Sequence, residues 1–371
     1  MLRIFIIFQI IIYHVYTYLN NISSKDFMNL RRKRQILGRA YNYFIDPTVN
    51  FPGITQAINF YRTNTCTRWQ LVNTITPTTD VAFLPGPNCS STIGMDPNNL
   101  PHVIFVTQSC SQNGNMQREI AHALGLFNEE VRPDRDNFIS VLYQNVIPNN
   151  FGDFTKNNLN IVGPNAQRYD YGSLMHSDLR FNSRNGRPTL QLKYPKFLET
   201  TGQKISLSFN DLKLINTELC NQCPIRLPCR FGGYTYEGKC NACTCPVFHG
   251  GRLCQRVRRS RPSCGNTNLH ARSVPNSFTI RGIRNCFYKI RAGVGFLVKL
   301  TINEALLPGG RCWRNKGIEA RVFEDKALSG VRLCGYVFNE VLKSKANGVI
   351  IQYKGARPYH FMRITYVRVK D

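Results

Sequence analysis

The chain has no apolar run long enough to cross a membrane: the longest, Ile4 to Ile12 behind Met1-Leu2-Arg3, falls short of the ~20 residues that a spanning helix needs. It shows no sustained heptad and no fixed Gly or Pro period, which excludes coiled coil and collagen, and it has no internal repeat. Acidic residues are scarce, 22 Asp+Glu against 48 Lys+Arg, for a formal charge of +26. Taken alone, that balance suggests a polyanionic partner such as nucleic acid, a heparan-type glycan or an acidic surface. What is present is ample apolar material, 42% of 371 residues, and 14 Cys. At ~100–200 residues per domain, this length predicts two or three folded units and excludes wholesale disorder.

The N-terminus pairs a basic start with an apolar stretch of signal-peptide length, assigned here to residues 1–18. No small-x-small site marks the cut, which falls near Tyr16 to Asn20; a short uncleaved anchor is the alternative. Export argues against nucleic acid as the partner and predicts an extracellular protein, and an oxidising compartment lets 14 Cys persist as disulfides. Residues 19–34 read as a propeptide ending in Arg31-Arg32-Lys33-Arg34, a charge block that suits the acidic cleft of a processing protease. Cleavage after Arg34 would start the mature chain at Gln35; the bland alternative is a solvated basic loop. Asn21 and Asn88 stand in glycosylation sequons.

The cysteines fall into three groups. Cys66, Cys89, Cys110 and Cys220 are widely spread. Six more, Cys223, Cys229, Cys240, Cys243, Cys245 and Cys254, crowd a stretch too short and too poor in aliphatics to bury a core, so disulfides must hold it. Spacing alone leaves 15 pairings open for six Cys. Cys264, Cys286, Cys312 and Cys334 lie in a region of alternating apolar and polar residues that predicts a β-sandwich of about eight strands. The run from Arg256 to Pro262 marks the boundary between the last two groups.

Chemistry concentrates in the segment from Met116 to Asp136. On a helix, positions 118 and 122 are i and i+4 and project from one face about 6 Å apart, close enough to share one metal ion. Gly125 can take positive φ, end the helix and turn the chain so that position 128 reaches the same point. The geometry is that of H-E-x-x-H-x-x-G-x-x-H.

From about Tyr41 to Cys220 the chain resembles the astacin metalloendopeptidases. The resemblance rests on Thr65-Cys66, Gly86 three residues before Cys89, Ile93-Gly94, Cys110 eight residues ahead of the helix motif, Arg132-Pro133-Asp134-Arg135-Asp136, and Tyr169-Asp170-Tyr171 leading to Ser173, Met175 and His176 as the methionine turn. The six-Cys group, with Gly232-Gly233-Tyr234, resembles an EGF-like module, and the last four Cys with their strand pattern resemble a CUB domain. The order looks like a nematode-type member of the family: a peptidase domain at 35–221, EGF-like at 222–255 and CUB-like at 264–371. The implied fold is α+β: a two-lobed metzincin with a mixed sheet and long helix above the cleft and a mostly irregular lower half, then two disulfide-held all-β modules. By resemblance the pairs are Cys66–Cys220, Cys89–Cys110, Cys223–Cys240, Cys229–Cys243, Cys245–Cys254, Cys264–Cys286 and Cys312–Cys334.

The residues that hold the metal have changed. The resemblance implies a zinc ion on three imidazoles, but these positions are Arg118, His122 and Asn128, and the tyrosine expected after the Met-turn histidine is Ser177. A guanidinium has no lone pair to give, and pointed inward it would oppose Zn²⁺ at 4 Å by about 8 kcal/mol at an effective dielectric of 20. Zinc is therefore predicted not to bind. Glu119 keeps the family's general-base position, but without a metal it faces water of pKa about 15.7, and it is expected to pair with a nearby basic side chain instead. His122 reads as a helix histidine satisfied by a hydrogen bond, Met175 as a floor beneath the cleft, and Glu129 as the position that in the family meets the mature amino terminus.

Two functions follow. One is a secreted homologue that has lost proteolysis and binds an extended peptide or extracellular protein in its cleft; the other is an active zinc metalloendopeptidase cleaving extracellular proteins. Residues 256–371 carry 23 Lys+Arg against 6 Asp+Glu, +17 of the whole +26, which directs a sulfated glycan or acidic protein to the CUB-like region, with a dispersed solvated face as the plain alternative.

Overall fold

The computed structural model describes residues 40–157, 167–220 and 223–370. The expected signal peptide, Asn21, the propeptide and the Arg34 processing site lie outside the described residues. Among the described residues no helix is long and apolar enough to cross a membrane.

The N-terminal half is built on a mixed five-stranded sheet in the order β2-β1-β3-β5-β4. Its strands are β1 (Ala40–Ile45), β2 (Arg68–Leu71), β3 (Val81–Pro85), β4 (Ser90–Ser91) and β5 (His102–Val106). All neighbours run parallel except β4, which is antiparallel to β5. Helices α1 (Pro52–Asn64) and α2 (Asn113–Ala123) pack on it and on each other. The sheet's Tyr41, Tyr43, Val81, Phe83 and Ile104 meet Ile54, Ile58 and Tyr61 of α1 and Met116 and Ile120 of α2 in one core. Met116, Ile120 and Ala123, spaced i, i+4 and i+7, give α2 a buried apolar stripe. Only 11 residues long, α2 is shorter than the long helix expected, because Gly125 at φ 96° turns the chain out of helical geometry.

Below this lies a largely irregular region of short 3-10 turns and one small sheet, β6 (Ile139–Val141) with β7 (Leu190–Leu192). Helix α3 (Phe209–Leu219) closes it, started by a capping box in which the Ser208 hydroxyl meets the Asp211 backbone and the Asp211 carboxylate meets the Ser208 backbone.

Residues 223–257 form a small unit of two hairpins, β8 (Tyr234–Tyr236) with β9 (Lys239–Thr244) and β10 (His249–Gly250) with β11 (Arg256–Val257). The C-terminal part is a sandwich of nine strands among the described residues, where the alternation predicts about eight. One sheet holds β12 (Asn268–His270), β14 (Asn285–Arg291), β19 (Gly348–Lys354), β16 (Gly317–Arg321) and β17 (Val331–Leu333), in that order. The other holds β13 (Asn276–Arg281), β20 (Phe361–Lys370), β15 (Phe296–Leu306) and β18 (Tyr336–Lys343). Alternate residues turn inward: Cys286, Tyr288 and Ile290 of β14 face Val298, Leu300 and Ile302 of β15 across one core.

Disulfides join Cys66 to Cys220, Cys89 to Cys110, Cys223 to Cys240, Cys229 to Cys243, Cys245 to Cys254, Cys264 to Cys286 and Cys312 to Cys334.

The sandwich is not a pendant module. Phe197 stacks on Phe323 at 5.3 Å between ring centroids. The buried Thr200 hydroxyl donates to the Gly330 carbonyl at 3.0 Å and accepts from the Arg332 backbone at 3.0 Å. Asp170, just ahead of the methionine turn, takes hydrogen bonds from the Ser329 backbone and hydroxyl at 3.1 and 3.2 Å. The floor of the N-terminal half and the edge of the sandwich therefore share one buried polar seam.

Candidate functional site

Half-buried Arg118 and buried His122 lie one turn apart on α2, and the turn at Gly125 brings Asn128 to Arg118. The segment Tyr169 to Ser177 comes up from the lower region, pinned by Asp211: its carboxylate accepts from the Ser173 hydroxyl at 2.6 Å and from the Leu174 backbone at 2.9 Å. The α3 capping carboxylate thus also fixes the methionine turn.

Arg118 spans the gap between these parts. Its guanidinium donates to the Leu174 carbonyl at 2.5 Å, to Asn128 Oδ1 at 2.7 Å and to the Ser177 hydroxyl at 3.2 Å. All three of the changed positions that the sequence singles out, 118, 128 and 177, therefore belong to one hydrogen-bonded cluster. Spacing alone brings 118 and 128 to one point; that Ser177 and the Leu174 carbonyl complete a cradle for the guanidinium is new. The signal available in the sequence is chemical: the three residues at these positions are a five-fold donor and two small oxygen acceptors.

The His122 Nδ1–H donates to the Leu126 carbonyl at 2.8 Å, since a carbonyl can only accept. Burial, and then the neighbouring Arg118 charge, push its pKa down to about 4, so the ring is neutral at ordinary pH. Glu119 does not form the ion pair expected among the described residues. It is buried, which raises its pKa, while Arg118 and a hydrogen bond from the Ser91 backbone work the other way.

Met175 is 1% exposed and lies with Met95, Leu124, Leu126 and Leu174 in the core under the site. His176 is held from both sides, Tyr169 Oη at 2.7 Å from Nε2 and the Ser177 carbonyl at 2.9 Å from Nδ1. Glu129 accepts from the Asp170 backbone at 2.7 Å and lies 3.8 Å from Arg132 Nε, and its burial raises its pKa to about 8. The Ser177 backbone donates to Glu130 Oε2 at 3.1 Å. Asn88 is exposed on the turn before β4, its side-chain oxygen accepting from the Ser90 hydroxyl at 3.1 Å.

Among the described residues no group of three or more His, Cys, Asp and Glu is placed to hold a metal ion. Of the atoms gathered at positions 118, 122 and 128, His122 Nε2 has an uncommitted lone pair, Asn128 Oδ1 is engaged by Arg118, and the guanidinium is a donor only.

Residues 42–220 match the family model described as Astacin, a peptidase family. Zinc metalloproteinase nas-34 of Caenorhabditis elegans is 30% identical over 325 residues, covering 86% of this chain and 53% of its own length. Zinc metalloproteinase dpy-31 of the same organism is 32% identical over 299 residues, covering 76% of this chain and 50% of its own length. The chain spans about half the length of these curated relatives. Among solved structures, high choriolytic enzyme 1, a hatching enzyme zinc-protease from Oryzias latipes, aligns at 23% identity and a TM-score of 0.43, covering 50% of this chain and 92% of that one. With the helix motif, the methionine turn and the Cys66–Cys220 and Cys89–Cys110 bridges all inside the matched segment, the chain belongs, through residues 42–220, to the astacin family of peptidases.

Proposed function

We propose that this astacin homologue is a secreted, proteolytically inactive member that works by binding an extended peptide or extracellular protein in its cleft. The observation that carries the reading is the Arg118 cluster. A catalytic zinc needs three protein nitrogen or oxygen donors and an open position, and the residues here do not fit that requirement. One position is a permanent cation without a lone pair, and its hydrogen bonds occupy Asn128 and Ser177. His122 alone falls far short of a ligand set. Without an activated water Glu119 has no proton to take at neutral pH, and its burial favours the protonated form. The cleft's supports remain: α2, the Met175 floor and the Asp211 anchor are those of a folded peptidase domain.

On the same reading residues 222–255 are an EGF-like module and 264–371 a CUB-like domain, whose excess of basic residues takes a sulfated glycan or an acidic extracellular protein. Salt-sensitive retention on heparin supports this; elution no later than a mixed-charge control removes it.

The test is casein hydrolysis by the mature chain, made in an oxidising expression system, with and without a chelator. No hydrolysis above the buffer rate is expected. Chelator-sensitive turnover would establish the alternative, an active zinc metalloendopeptidase.

A further inference from the structure

Where the peptidase domain, the 223–257 unit and the sandwich meet, positive charge collects without enough acid to balance it. Glu319 of β16, 2% exposed, is the carboxylate at the centre. Its Oε1 lies 3.2 Å from Arg321 Nη2 and its Oε2 lies 3.4 Å from Arg332 Nε. Arg314, exposed on the turn before β16, lies in the field of the same carboxylate, of both guanidiniums and of Arg258. Two guanidiniums thus share one carboxylate, and the charge of a third, Arg314, is felt at the same place. Glu319 Oε1 is also spent on the Gly330 backbone, which donates to it at 3.1 Å.

One donor is left over. Arg332 is 3% exposed, and its Nη1 is buried with no hydrogen-bond partner among the described residues. A buried N–H without an acceptor forfeits about 1–3 kcal/mol, and a buried cation in excess of its counter-ions costs more. Arg321 is accounted for within the protein: its Nη1 donates to the Lys326 and Ala327 carbonyls, and its guanidinium lies 4.4 Å from the centroid of the Phe248 ring. All three structural parts converge here: Thr200 accepts from the Arg332 backbone, Phe248 belongs to the 223–257 unit, and β16 and β17 are the sandwich's own.

We propose that Arg314 and Arg332 take an oxyanion at this three-way junction, a sulfate or phosphate group that caps Arg332 Nη1 and balances the surplus charge. Planar guanidinium forks match tetrahedral oxyanions in geometry as well as charge. Exposed Arg314 is the side from which the anion enters, and the group arrives either as a free inorganic ion or as the sulfate ester of a glycan. Bound there, it links the sandwich edge to the two parts packed on it. This stands apart from the cleft and does not depend on the loss of zinc.

The full secreted chain is titrated with sodium sulfate against sodium chloride at constant ionic strength, with Tm as the readout, beside the variants Arg314→Gln and Arg314→Lys. A saturable rise of roughly 5 °C at a hundred times the dissociation constant is expected, lost in Arg314→Gln and weakened at least tenfold in Arg314→Lys, which keeps the charge but not the fork. A heparin-derived trisulfated disaccharide is titrated in parallel. Saturation by the disaccharide alone, again lost in Arg314→Gln, identifies the oxyanion as a glycan ester. A non-saturating rise equal in all three proteins is general salt stabilisation; with no response to the disaccharide, it would mean that water caps Arg332, and would overturn the proposal.

Discussion

Replacing Arg118 by Met keeps most of the side chain's length and packing while removing the guanidinium. Three acceptors then lose their donor: the carbonyl of Leu174, which is 2% exposed, Asn128 Oδ1 and the Ser177 hydroxyl. Hydrogen bonds from a charged donor are each worth about 1.5–3 kcal/mol, and removing a part-buried cation gives some of that back. A net loss of about 2–4 kcal/mol follows, which for a domain of this size lowers Tm by about 5–12 °C. Arg118→Lys, a point charge that cannot reach all three acceptors, should fall between. In a double-mutant cycle Arg118→Met and Asn128→Ala should couple by about 1 kcal/mol or more, because the two changes delete the same bond. The assay is thermal unfolding of the purified, disulfide-bonded chain at low and moderate salt. An Arg118→Met variant as stable as the wild type, with no coupling to position 128, would mean that the guanidinium does not tie α2 to the methionine turn.

Restoring Arg118→His and Asn128→His together should return a three-imidazole set around His122 and give tight, roughly stoichiometric zinc binding by metal analysis, whereas either change alone should not. A double variant that stays metal-free would mean the scaffold no longer holds these side chains in register. His249 is 3% exposed and stacked on Phe231 at 4.3 Å, and burial together with Arg321, Lys289 and Lys326 pushes its pKa down to about 3. Its folded pKa lies below the unfolded value, so its contribution is intact above pH ~6.5 and is lost as pH falls toward 3, amounting to about 2 kcal/mol at pH 5. His249→Phe should flatten that part of the stability–pH curve, and an unchanged slope would count against it. Thr200→Val strands the Gly330 carbonyl and the Arg332 backbone N–H, so unfolding should show a loss of about 1–3 kcal/mol; a neutral result would mean that the seam between peptidase domain and sandwich carries no stability.

Much of the site is legible in the sequence because it follows from helical arithmetic. Residues 118 and 122 share a face at i, i+4, and Gly125 ends the helix and returns the chain, so Asn128 has to come near Arg118. Alternation likewise reveals the sandwich strands, since period-two burial is written in β14 and β15 themselves. What is not legible depends on contacts distant in sequence. Ser177 reaches Arg118 across 59 positions, and Asp211 holds Leu174 across 37; no local pattern encodes either. Glu119 feels the charge of Arg118, a basic neighbour of the kind the sequence predicts, without an ion-pair contact, but its hydrogen bond from the Ser91 backbone, made where β4 packs against α2, is not legible. The junction around Glu319 is equally hidden: Thr200 meets Arg332 over 132 residues, and only folding shows that Arg321 and Arg332 converge on one acid.

A guanidinium standing where an imidazole would ligate a cation should leave the site without zinc, and the zinc content of the purified chain is the direct measure of this. After passage through zinc-containing medium and removal of loosely bound ions, inductively coupled plasma measurement should find far less than one zinc per chain. One tightly held zinc per chain, lost when His122 is changed to Ala, would contradict it.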